Sequence, residues 1–209
     1  MSGASINKKL QKANAKIGKK LGYKFKLYRS VDYLDPVQLK NYLGEQVLSW
    51  SIDASFKKPV NENYQQVNLF LDTTNLQLGD IFVSEELNKK FVLINKDPLV
   101  TPQAIEATNT VSISRTTYST VGGYHPELVE VAKNIPAAIF EVGSQSQPST
   151  ENTGSNKSST SKYALWIWLP VNNIKLDDVL VDNFGNKSRI TSIEFSPVGY
   201  KLSAVKVKE

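Results

Sequence analysis

The sequence predicts a mainly β chain of barrel or sandwich type, led by one basic amphipathic helix. Three observations carry this. Most apolar residues after Leu21 fall in short runs that alternate with polar ones, the signature of half-buried strands. Only the segment Ser5 to Leu21 has a clear helical period. And Leu76 to Ile94, a polar turn, strand, turn and return strand, has an echo 98 residues later, from Ile174 onward. Identical in the ungapped match are Leu78/Leu176, Asp80/Asp178, Val83/Val181, Asn88/Asn186 and Lys89/Lys187. Two related β-modules would produce this. So would two unrelated hairpins sharing ordinary turn and strand residues.

In the leading helix, Ser5 is the cap, and Ile6, Leu10, Ala13, Ile17 and Leu21 make one apolar stripe. Lys8, Lys9, Lys12, Lys16, Lys19 and Lys20 gather on another side, and Gly22 fits the stop. Tyr23, Phe25 and Leu27 then alternate with Lys24 and Lys26 as a strand. Asp35-Pro36 predicts a short helix or turn through Tyr42, stopped near Gly44. Strands follow over Val47 to Asp53, with Leu48, Trp50 and Ile52 on one face, and over Val67, Leu69 and Leu71. After the Leu76 hairpin, which turns at Glu85-Glu86, Asp97 to Pro102 reads as a loop. Thr108 to Arg115 is a strand with Val111 and Ile113 inside.

Gly122-Gly123-Tyr124-His125-Pro126 breaks the chain, and Pro126 predicts a helical turn over Glu127 to Lys133. Ile135 to Val142 is a further strand. Residues 143–162 are Ser, Thr, Gln, Asn and Gly with almost nothing to bury, which predicts a flexible linker or loop. Tyr163 to Leu169 is apolar on both faces, hence a covered strand. The second hairpin turns at Asn183-Phe184-Gly185-Asn186, and a last one turns at Ser196 to Gly199. The expected organisation is a basic arm and first strand over 1–29, a first β-module over 30–142, the linker 143–162 and a second module over 163–209.

Charge is asymmetric. Residues 1–29 hold nine of the 25 basic side chains and no acid, leaving 16 basic against 20 acidic elsewhere, a net of −4. Such an arm points to its own partner: an acidic groove on a neighbouring subunit, a nucleic acid, or a membrane surface. It also suits an ordinary helix lying on its own domain. The stripe includes Ala13 and has no aromatic anchor before Tyr23, so the membrane is the poorest fit. No run approaches the roughly 18 apolar residues of a membrane helix.

Chemistry is sparse. With no cysteine, thiolate sites and disulfides are excluded. His125 is the one histidine and sits in a turn. Asp177-Asp178 read as turn residues, and on a strand adjacent residues would face opposite ways and not readily share a proton or metal. Trp166 and Trp168 suit a core or interface better than a stacking platform. No phosphate loop or dinucleotide fingerprint is present. The expectation is a non-enzymatic chain with no catalytic, metal or cofactor site.

Several phrases resemble those of a family of virion structural proteins of tailed double-stranded-DNA bacteriophages. They are Ala15 to Gly22 leading into Tyr23 to Arg29; Leu78 to Val83 with Phe91-Val92; Thr110 to Arg115; Asn134 to Ala137; and Asp178 to Val181 with Gly199 to Ala204. The resemblance implies a part repeated in a ring of the tail, where tube meets baseplate, or in the head-to-tail connector of the neck. The implied partners are copies of itself and other tail or neck proteins, and the implied location is the virion, assembled in the host cytoplasm. The expected contact residues are those of the arm: Ile6, Lys8, Lys9, Leu10, Lys12, Lys16, Ile17, Lys19, Lys20 and Leu21.

Overall fold

Alternating strands and tight turns close the chain into two barrels. A computed structural model describes residues 3–30, 34–52, 66–119, 125–142, 164–169, 174–196 and 199–207. After helix α1 (Gly3–Leu21), the first barrel is made by β1 (Tyr23–Tyr28), β2 (Tyr42–Ile52), β3 (Gln66–Phe70), β4 (Ile81–Ser84), β5 (Lys89–Asn95) and β6 (Gln103–Glu106). Its closed order is β1-β2-β3-β6-β5-β4. The second is made by β7 (Asn109–Ser119), β8 (His125–Val142), β9 (Ala164–Leu169), β10 (Val179–Asp182), β11 (Lys187–Ser196) and β12 (Gly199–Lys206), closed as β7-β8-β9-β12-β11-β10. Adding six to each label of the first order gives the second. The match at offset 98 is therefore a repeat of architecture: it lays β4 onto β10 and the start of β5 onto that of β11.

The modules divide at Ala107-Thr108, not where composition changes. The expected first module, 30–142, omits β1, which closes the first barrel against β4, and includes β7 and β8, which pair with β10 and β9 of the second. The Ser/Thr-rich stretch joins two neighbouring strands of one barrel, so its composition marks a long strand connection and not a domain boundary. Its own residues lie outside those described, as do Gly122 to Tyr124 and the turn at Pro197-Val198.

One local expectation gives way to pairing across the sheet. Glu127 to Lys133 is strand, not helix: it runs in β8 against β7, from Thr117↔Glu127 to Ile113↔Ala132. The Pro126 helix signal loses to ladder formation, and proline is tolerated because that end of β8 has no second neighbour among the described residues. The short helix or turn expected from Asp35-Pro36 is present: Gln38 N–H donates to Asp35 O at 3.4 Å, and a 3-10 helix, Leu39–Asn41, leads into β2. Gly44, φ +133°, lies beside a bulge where Leu27 pairs with Gly44 but Tyr28 with Tyr42. β6 was missed because Gln103–Glu106 follows a two-proline loop and is only four residues long.

Alternation then decides the cores. Phe25, Leu27, Leu48, Leu69, Phe82 and Phe91 fill the first barrel, with Trp50 packed against them. Val111, Ile113, Ile135, Leu180, Ile190 and Leu202 fill the second. Residues of β4, β5 and β6 that point outward are buried too, because Ile81, Val92 and Ile105 pack with Ala138 of β8. The barrels thus share an apolar seam. Lys133 N–H donates to Leu34 O at 2.7 Å and Asn134 Nδ2 to Asp35 Oδ2 at 2.9 Å across it.

Candidate assembly interface

Helix α1 is not a detached arm; it lies on β2 and β3 of its own barrel. The face it uses is not the apolar stripe. Asn14 and Gly18 are its buried residues, and a Cβ placed on Gly18 would stand 2.4 Å from Phe70 O. Only glycine lets the helix approach the backbone this closely. At about 100° per residue, the Asn14/Gly18 face lies roughly a quarter turn from the stripe. Between helix and barrel is a small cleft of about 60 Å³, lined by Asn7, Asn14, Thr73 and Lys96 among others. The buried Asn7 Oδ1 finds no partner there among the described residues.

The stripe is left uncovered as a result. Ile6 is 47%, Ile17 36% and Leu21 70% exposed, Ala13 is exposed, and Leu10 is half-buried. Lys8, Lys9, Lys12, Lys16, Lys19 and Lys20 are all exposed, and none makes an ion pair among the described residues. All ten residues expected from sequence therefore lie on one helix, with the aliphatic ones forming an edge beside the lysines.

The other basic residues of the first 29 behave differently. Lys24 pairs with Glu45 at 3.5 Å, Lys26 with Glu85 at 2.7 Å and Arg29 with Asp80 at 2.8 Å. The barrel answers its own strand charges, whereas the helix lysines make no ion pair among the described residues. One electrostatic tie remains: hydrogen bonds from the Thr74 hydroxyl and N–H hold the Asp72 carboxyl below its ordinary range, and Lys19 adds to this.

Sequence reasoning missed a second exposed feature, a two-stranded ribbon. β10 pairs with β7 only from Val111 to Ser114, and β9 pairs with β8 only from Ala138 onward. The β7–β8 ladder nevertheless continues to Ser119↔His125. From Arg115 outward the two strands have only each other among the described residues, a projection of about 15 Å at the usual rise per residue. It carries Glu127-Leu128-Val129-Glu130, all exposed, with Leu128 at 59% and Val129 at 40%. The signal was present as β-branched and aliphatic residues between acids, hidden by the preceding proline.

The Asp177-Asp178 pair lies in the turn before β10: Asp177, at φ +67°, is exposed, whereas Asp178 is 1% exposed and bound to Arg115. His125 opens β8, and its side chain and those of Trp166 and Trp168 are outside what is described. Among the described residues there is no cluster of three or more groups able to ligate a metal, and no helix long and apolar enough to cross a membrane. Compared with protein families, functionally described proteins and solved structures, the chain gives no match.

Proposed function

We propose that the protein is a non-enzymatic structural subunit of a bacteriophage virion, forming a ring at a tail junction, where tube meets baseplate. The observation that carries the assembly role is the divided use of α1. The helix seats itself with a small, polar face and keeps Ile6, Ala13, Ile17 and Leu21 in solvent beside six lysines that make no ion pair among the described residues. A helix whose only task was to cover its own barrel would turn its aliphatic edge inward. The phage setting rests on the sequence resemblance, and a head-to-tail connector ring is the other place in the virion that suits it.

Mass photometry and negative-stain imaging of the purified chain test this: closed rings of uniform mass support it, and a monomer at every concentration overturns it. A second reading uses the same lysine face for nucleic acid. It predicts duplex binding that falls steeply with added salt, because each phosphate contact releases counterions. The ring reading predicts little duplex affinity at physiological salt.

A further inference from the structure

We infer that the β7–β8 ribbon of one copy docks on the α1 edge of the next copy, acid to base and aliphatic to aliphatic. This rests on the assembly reading above and names the two surfaces that meet.

The surfaces complement each other in kind. On the ribbon, Glu127 and Glu130 bracket Leu128 and Val129, and neither acid makes an ion pair among the described residues. The register Thr116↔Leu128 and Ser114↔Glu130 puts Leu128 and Glu130 on one face, with Glu127 and Val129 on the other. Each face thus offers one aliphatic and one acidic side chain. On the helix, Lys9, Lys16 and Lys20 run along the border of the stripe formed by Ala13, Ile17 and Leu21, at i, i+3 and i+4 spacings. An aliphatic contact flanked by opposite charges follows when these meet.

The alternatives are less well matched. Pairing α1 with α1 of another copy would bury the stripe but bring the bordering lysines of both helices together, and like charge at such a border opposes docking. Within one chain, α1 packs on β2 and β3 of the first barrel and, among the described residues, not on β7 or β8, from which the ribbon grows. The contact therefore joins different copies. It uses two different patches, so it is head-to-tail, and head-to-tail contacts propagate into a ring or filament instead of stopping at a two-fold dimer.

Charge exchange tests this on the full chain. One variant carries Glu127→Lys and Glu130→Lys; the other carries Lys9→Glu, Lys16→Glu and Lys20→Glu. Circular dichroism and melting first establish that both fold, as substitutions at exposed sites should leave stability nearly unchanged. Each variant alone should self-associate roughly tenfold or more weakly than the parent. An equimolar mixture should regain oligomers, because each ribbon then meets a helix of opposite sign. Oligomers should also return when all five substitutions sit in one chain. Undiminished rings in either single variant would overturn the docking and leave the ring role standing. A mixture no more associated than its parts would also overturn it. A parent chain that is itself monomeric would remove both.

Discussion

Asp178 occupies in the second barrel the station that Asp80 occupies in the first. Each carboxylate is buried, at 1% and 0% exposure, and sits just before the strand that closes its barrel, β10 or β4. Each accepts two parallel bonds from an arginine at the far side of that closure. Arg115 Nε and Nη2 reach Asp178 at 2.7 and 2.8 Å, and Arg29 Nε and Nη2 reach Asp80 at 2.8 and 2.8 Å. Each also takes the N–H of the residue three before it, Lys175 at 2.8 Å and Gln77 at 2.7 Å. The hydrogen bond to its aspartate raises each arginine above its ordinary value, so both guanidiniums stay charged. The pair fastens the crossover from β3 to β4, or β9 to β10, to the seam where the sheet meets itself.

Removing one partner should therefore open a barrel at its seam. Arg29→Met leaves Asp80 buried and uncompensated, and loss of one partner of a buried pair costs about 3–5 kcal/mol. Arg115→Met should do the same to the second barrel. Chemical denaturation checks both. Arg29→Met with Asp80→Asn should recover much of the loss, because no buried charge is then stranded.

The residue before each aspartate has a left-handed backbone: Gly79 at φ +86° and Asp177 at φ +67°. Glycine takes this conformation freely, whereas aspartate only tolerates it. Gly79→Ala should lower stability by about 1 kcal/mol, and Asp177→Gly should be neutral or slightly stabilising despite greater freedom when unfolded. Matched melting curves of the two variants would show opposite asymmetry if the turns were not equivalent.

Much of this was legible and some was not, for definable reasons. Strands with one wet face, such as Tyr23–Tyr28, are written plainly in alternation. Ile81-Phe82 and Phe91 to Leu93 are less plain, because the shared seam buries both of their faces. The identity of Asp80 and Asp178 showed in the ungapped match. Their arginines did not, since Arg29 and Arg115 lie 51 and 63 residues away, with different offsets to the repeat. The amphipathic character of α1 was readable, but not which face it buries: that is decided by Gly18 meeting Phe70 O, a backbone contact with no hydrophobic signal.

That contact separates seating of the helix from the proposed assembly. Gly18→Leu cannot fit against the β3 end, so α1 should lift from the barrel, at an overpacking cost of about 1–3 kcal/mol if it stays. Protease protection of residues 3–21 should fall while the barrels still melt cooperatively. By contrast, Ile6→Ser, Leu10→Ser and Ile17→Ser together change mainly exposed positions. Barrel melting should be preserved, and oligomer mass should drop. Unfolding of the barrels in the triple variant would mean that the stripe belongs to their own core.

Lys90 gives a pH dependence. It lies in β5 beside the seam and donates to Thr110 Oγ1. Burial of the ammonium lowers it from its ordinary 10.5. Between that lowered value and 10.5 the unfolded chain binds more protons than the folded one, so this residue makes stability rise with pH in that window. Below the window its penalty is present in full and constant. Lys90→Met keeps the length of the side chain and removes the charge, with loss of the bond to Thr110. The variant should melt higher than the parent at pH 7, and the difference should shrink as pH climbs toward 10.5. A gain that stays constant across that range would mean that packing, not desolvation of the ammonium, is responsible.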